Sequence, residues 1–123
     1  MMNCMIIDDD LFSRKVLTQL VTITDELELE ETCNNAVEAI SILETKKIDL
    51  LLLDIEMPGI SGLQLINSIK NPPLIIVISA TKHAFVNVNV IDFIIKPISP
   101  ELFSNAVKKA KDLFYKKEEI VTN

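Results

Sequence analysis

Ile48–Leu53 is the stretch that most limits what this chain can become. Ile48 and Asp49 lead into Leu50, Leu51, Leu52 and Leu53, and the run ends in Asp54. Extended backbone turns successive side chains to opposite faces, so a strand of consecutive leucines is apolar on both. Such a strand needs cover on both sides, which is the situation of a central strand in a parallel sheet. It also aims its terminal acid off the edge of that sheet. The same event recurs near the N-terminus, where Met5, Ile6 and Ile7 end in Asp8, Asp9 and Asp10. Two such strands side by side would crowd several carboxylates together. That is costly unless a cation or a proton sits among them.

The rest of the chain alternates apolar runs with segments of helical period. Asn3–Ile7 reads as the first strand. Leu11–Thr24 follows as a helix with Leu11, Phe12, Val16, Leu20 and Ile23 as its core stripe. Leu27–Cys33 alternates in the manner of an edge strand. Asn34 or Asn35 caps a second helix with the stripe Val37, Ile40 and Leu43. After Met57-Pro58-Gly59, a turn, Ser61 can cap a helix carrying Leu63, Ile66 and Ile69. Pro72 and Pro73 stop it. Leu74–Ile78 and Ile91–Ile95 are the fourth and fifth strands. Thr81–Val90, rich in valine and asparagine, suits only a short or frayed helix, and its His83 reads as a surface residue. Ser99 caps a last helix carrying Leu102, Phe103, Ala106, Val107, Ala110, Leu113 and Phe114. This order predicts an α/β fold, a doubly wound five-stranded parallel sheet with helices on both faces. Residues 1–116 form the domain, and 117–123 are a tail or the start of a linker.

Composition narrows the function. A net charge of −6 argues against nucleic-acid binding by this domain alone. The single histidine excludes a multi-histidine metal site. No segment is long enough to span a bilayer, and none has the order of a signal peptide, so a cytoplasmic location is expected. Cys4 and Cys33 then read as reduced, buried thiols.

In sheets of this class ligands bind beyond the carboxyl ends of the strands, at the topological switch point. Asp8–Asp10, Asp54, Ser79 and Lys96-Pro97 all fall at strand ends there. Carboxylates without thiol or imidazole make a hard oxygen site, which suits Mg²⁺. Lys96 adds a positive charge and Ser79 a hydroxyl. Together they fit a phosphoryl group carried by Asp54 as an aspartyl phosphate. Asp10 is either a site member or the cap of the first helix.

Ile7-Asp8-Asp9-Asp10, Leu53-Asp54-Ile55-Glu56-Met57-Pro58-Gly59, Ser79-Ala80 and Phe93-Ile94-Ile95-Lys96-Pro97, in this order, resemble the receiver domain of two-component response regulators over nearly the full length. Asp92-Phe93 and the residues through Ser99 look closest to receivers of LytTR-type regulators. The resemblance implies a flavodoxin-like (βα)5 fold with strand order 2-1-3-4-5. It implies that Asp54 accepts a phosphoryl group from a histidine kinase or phosphotransfer protein. Mg²⁺ would be bound by Asp8, Asp9, Asp54 and the backbone carbonyl of Glu56. Ser79 and Lys96 would contact the phosphoryl oxygens, Ser79 and Phe93 would act as switch residues, and Lys96–Pro97 would be a cis peptide. The segment Thr81–Val90, the fifth strand and the last helix would form the readout face, through which two copies could pair.

A signalling module is therefore the first reading, with no enzymatic turnover beyond self-catalysed phosphorylation and dephosphorylation of Asp54. A Mg²⁺-dependent phosphatase or phosphotransferase of the haloacid dehalogenase type is the alternative. It wants a second aspartate two residues after the nucleophile as general acid, where this chain instead has Glu56 followed by Met57-Pro58. A flavodoxin-like cofactor binder would need a phosphate-cradling loop after the first strand, and the aspartates there would repel a phosphate.

Overall fold

The computed structural model describes residues 1–82 and 89–122, with side chains up to Lys116. Its elements run β1 (Met2–Ile7), α1 (Leu11–Thr22), β2 (Leu27–Cys33), α2 (Ala36–Thr45), β3 (Leu50–Leu53), α3 (Gly62–Ser68), β4 (Leu74–Ser79), β5 (Val90–Ile95) and α4 (Pro100–Thr122). The strands form one parallel sheet in the order β2-β1-β3-β4-β5, so the flavodoxin-like topology holds. β2 lies at an edge, and β1 and β3 flank the switch point. The short helix expected within Thr81–Val90, and His83 with it, falls on 83–88, outside the described residues.

Alternation along the strands explains the long apolar runs. Cys4, Ile6, Leu50, Leu52, Ile76 and Ile78 face the side covered by α1 and α4, where Leu17, Val21, Phe103, Ala106, Val107 and Ala110 meet them. Met5, Ile7, Leu51, Leu53, Ile75 and Val77 face α2 and α3 through Ala36, Ala39, Leu65 and Ile66. All four leucines of β3 are fully buried. Each contributes roughly 1.5–3 kcal/mol by leaving water, which makes β3 the spine of both cores. Cys4 and Cys33 lie on adjacent strands but in opposite cores, and both are free thiols. Burial pushes the Cys4 thiol up to about 12 and, chiefly, the Cys33 thiol up to about 11. Neither forms a thiolate readily.

The helices hold their places but several are rotated from the expected stripe. On α1 the buried residues are Ser13, Leu17 and Val21, whereas Leu11, Phe12 and Ile23 stand exposed. The reason is the cap. The Asp10 carboxylate accepts from the backbone N–H groups of Phe12 and Ser13 and from Ser13 Oγ, at 2.8 Å for the hydroxyl. Ser13, with its hydroxyl satisfied, can turn inward at little cost, and Leu17 and Val21 follow it at successive i+4 positions. Val37, Leu63, Leu102 and Leu113 are likewise exposed. On α2 the small Ala36 and Ala39 face the sheet most closely, while Ile40 and Leu43 of the expected stripe pack against the same core at its margin and only Val37 turns out. Of the two asparagines offered, Asn35 caps α2, and caps at Ser61 and Ser99 occur as expected, Ser61 with a full capping box to Gln64. α4 runs unbroken to Thr122, past residue 116. No helix among the described residues is long and apolar enough to cross a membrane.

Candidate functional site

Sheet register brings the acids together. Ile7 pairs with Leu53, the last residues of β1 and β3, so Asp8 and Asp54 emerge side by side. The backbone continues the ladder past both strands: Asp54 N–H donates to Ile7 O at 2.8 Å, and Asp8 N–H to Cys33 O at 3.1 Å. On the other flank Lys96 N–H donates to Ser79 O at 2.9 Å, aligning the ends of β4 and β5. Asp8 and Asp54 are buried while Asp9 is exposed. One carboxylate oxygen from each of Asp8, Asp9 and Asp54 lies within 4.8 Å of the others.

Lys96 Nζ reaches across this cluster, 3.0 Å from Asp8 Oδ2 and 3.5 Å from Asp54 Oδ2. Burial alone would lower its ammonium, but the Asp8 side chain, and after it the charge of Asp54, holds it above its usual range. The approach to Asp8 Oδ2 is close enough for ion pairing but outside hydrogen-bond geometry. That oxygen is the one buried side-chain polar atom among the described residues without a hydrogen-bond partner. The other oxygen, Asp8 Oδ1, accepts from Asp10 N–H at 2.9 Å. Burial first, and then the Asp8 charge, pushes the Asp54 carboxyl from 3.8 up to about 6, against the pull of Glu56 N–H and Lys96. A buried acid pair bridged by one lysine, with an unsatisfied oxygen between, fits a hard divalent cation.

Other residues brace the edge. Asp10 is the N-cap of α1, and the Ser13 hydroxyl holds its carboxyl below the usual range. Arg14 donates from a guanidinium nitrogen to Asp8 O at 2.8 Å, fixing the turn that presents Asp8 and Asp9. Glu56 N–H donates to Asp54 Oδ1 at 3.1 Å. Ser79, fully buried, donates through Oγ to Glu56 Oε1 at 2.7 Å, and the Thr81 hydroxyl donates to the same oxygen. Phe93 lies opposite Val77 in the sheet, half-buried against the core under α2 and α3. The Lys96–Pro97 peptide is cis.

Sequence reading singles out neither Arg14 nor Thr81 nor Gly62, and in the receiver reading it uses Glu56 only through its backbone. Gly62 matters by proximity. A Cβ there would stand 2.7 Å from both Asp54 O and Ile55 Cα, and both are backbone atoms that cannot swing aside. Gly59, by contrast, serves the turn, with φ +79°. Gly62→Ala is expected to destabilise the domain by about 2 kcal/mol through overpacking. Gly59→Ala, with open space around it, meets only backbone strain. Urea unfolding of the two variants tests this, and a Gly62→Ala chain as stable as wild type would contradict the contact.

The comparisons with known proteins agree with this geometry. The family model of the response regulator receiver domain matches residues 4–108. An uncharacterized response regulatory protein of Shewanella oneidensis is 35% identical over 120 residues, taking in 92% of this chain and 50% of that protein. The positive alginate biosynthesis regulatory protein of Pseudomonas aeruginosa is 35% identical over 117 residues, 89% of this chain and 47% of that protein. The chain thus spans about half the length of these curated relatives. The crystal structure of response regulator TrrA from Thermotoga maritima, in complex with Mg²⁺-BeF, superposes with a TM-score of 0.77 at 28% identity, covering 89% of this chain and 99% of that one. TrrA in complex with histidine kinase ThkA superposes at 0.73 and 28% identity, covering 89% and 98%. With the family model spanning residues 4–108, the chain belongs to the response regulator receiver domains.

Proposed function

We propose that the domain, residues 1–116 with 117–123 leading out of it, accepts a phosphoryl group on Asp54 from a histidine kinase or phosphotransfer protein in the cytoplasm. The observation that carries the reading is the buried Asp54 carboxylate held between Asp8 and Lys96 at the sheet edge. An Asp54 oxygen attacks the phosphorus, the P–N bond to the donor imidazole breaks, and the electron pair stays on the imidazole nitrogen. The product is an acyl phosphate on Asp54.

Asp8, Asp9, Asp54 and the backbone carbonyl of Glu56 would hold Mg²⁺. Bound there, it supplies positive charge that offsets the repulsion between acid and phosphoryl oxygens. Lys96 Nζ, already beside Asp54 Oδ2, would pair with one phosphoryl oxygen, and Ser79 Oγ would donate to another. Those contacts exist in one conformer only, so they favour it. Phe93, on the strand next to Ser79, would repack with that change. β5 and α4, together with the segment that precedes β5, would present the change to a partner, a second copy included. TrrA in complex with histidine kinase ThkA supports a kinase as donor.

The haloacid dehalogenase alternative needs the Glu56 carboxyl as a proton-carrying acid. That carboxylate is instead the shared acceptor of the Ser79 and Thr81 hydroxyls. Intact-mass measurement after incubation with acetyl phosphate and Mg²⁺ tests the proposal. Wild type is expected to gain one phosphoryl group, and Asp54→Asn none. No gain in wild type, or a gain that survives Asp54→Asn, overturns it.

A further inference from the structure

The Ser79 hydroxyl is not idle at rest, and that has a consequence for switching. A serine hydroxyl has one proton to donate. Ser79 Oγ spends it on Glu56 Oε1, at 2.7 Å, while accepting from Thr81 N–H at 3.3 Å. The Thr81 hydroxyl donates to the same Glu56 oxygen. Glu56 in turn is tied to Asp54 through its own N–H. The loop after β3 and the loop after β4 are therefore stitched together through one carboxylate oxygen.

We infer that the Glu56 carboxylate is a resting-state latch on Ser79 and Thr81, and that a phosphoryl group on Asp54 must displace it to take Ser79 Oγ. This rests on the proposed phosphorylation of Asp54. Two forces oppose each other. The latch is a hydrogen bond to a charged acceptor, of the stronger kind. A dianionic group two residues away repels the same carboxylate and offers Ser79 a competing charged acceptor. Glu56 is exposed, so its carboxylate can leave for water at little desolvation cost. That makes the latch releasable, unlike a buried pair. Glu56 is thus a positioning residue. It acts through Ser79 and sets how far the resting domain is from the phosphorylated arrangement.

Beryllofluoride titration with Mg²⁺ present reads this directly. Glu56→Ala is expected to bind beryllofluoride about tenfold more tightly than wild type, since one charge-assisted hydrogen bond no longer competes. Glu56→Gln, which keeps a neutral acceptor, should fall between. Removing a negative charge would also favour an anion, so the same pair is compared in a Ser79→Ala background, where there is no latch to release. There the gain from Glu56→Ala should shrink to about twofold or less. A second readout is the Thr81 amide resonance: in ligand-free Glu56→Ala it should move toward its position in beryllofluoride-bound wild type. Equal or weaker binding by Glu56→Ala overturns the latch, as does a gain that is undiminished in Ser79→Ala. Wild type that takes up no beryllofluoride overturns the phosphorylation reading, and the latch with it.

Discussion

Asp54→Asn should be more stable than wild type by about 2–3 kcal/mol near pH 8, although it cannot carry a phosphoryl group. The Asp54 carboxyl titrates at about 6 in the fold against 3.8 in a free chain. That difference is worth roughly 3 kcal/mol. A raised acid means the folded state holds the proton more tightly. Its stabilising share is fully present below 3.8 and is lost as pH rises through about 6. At neutral pH wild type therefore folds with a charge that burial and Asp8 both disfavour. Asparagine removes the charge and keeps the shape. Its carbonyl can still accept from Glu56 N–H, and its amide can donate toward Asp8. Urea unfolding across pH checks the sign. The advantage of Asp54→Asn should shrink steadily between pH 7 and pH 4. A constant difference, or one that grows as pH falls, would mean that the raised carboxyl is not its source.

Lys96→Ala should do the reverse and cost about 3 kcal/mol near pH 8, at the low end for a broken buried ion pair because the lysine keeps some exposure. Its side chain is 19% exposed, against 1% for Asp8 and 5% for Asp54. Without it, two buried acids face each other with no cation. The Asp54 carboxyl would then rise further, so part of the loss should return as pH falls and the proton takes the place of the lysine. In a chain whose whole stability is about 5–15 kcal/mol, this loss is large. The cleanest check is a double-mutant cycle. In the Asp54→Asn background only Asp8 still needs Lys96, so the cost of Lys96→Ala should drop by about half. An equal cost in both backgrounds would show that Lys96 acts through packing of its stem rather than through charge.

Stability and chemistry pull against each other at this edge. The crowding that makes Asp54 costly to bury sets carboxylate oxygens of Asp8, Asp9 and Asp54 within 4.8 Å of one another, and that crowding is what suits a cation. Natural sites commonly hold such strain where function needs it.

Much of this was legible along the chain because it depends on local pattern. The acids, Ser79 and Lys96 each follow an apolar strand closely, and strand ends in a parallel sheet share one edge. Cap residues at Asn35, Ser61 and Ser99 were readable because a cap bonds its own helix within three residues. The stripe of α1 was not. Leu20 does pack on the core, but Leu11, Phe12 and Ile23 are as apolar as Leu17 and Val21 and stand exposed. The choice between them fell to the Asp10–Ser13 bond, which rotates the helix.

By itself, then, the sequence determined the order of elements, the central position of β3, and the acids, hydroxyl and lysine that line one sheet edge. Periodicity and strand ends are properties of neighbours in the chain. Only the tertiary structure decided what those groups do to one another. Glu56 meets Ser79 across 23 positions, Lys96 meets Asp54 across 42, and the Asp54 and Ile55 backbone leaves no room for a Cβ at Gly62. The raised carboxyl of Asp54 belongs to the same class, because it comes from burial and the Asp8 charge. Each depends on distance and exclusion of water, which exist only once the sheet has brought remote residues together.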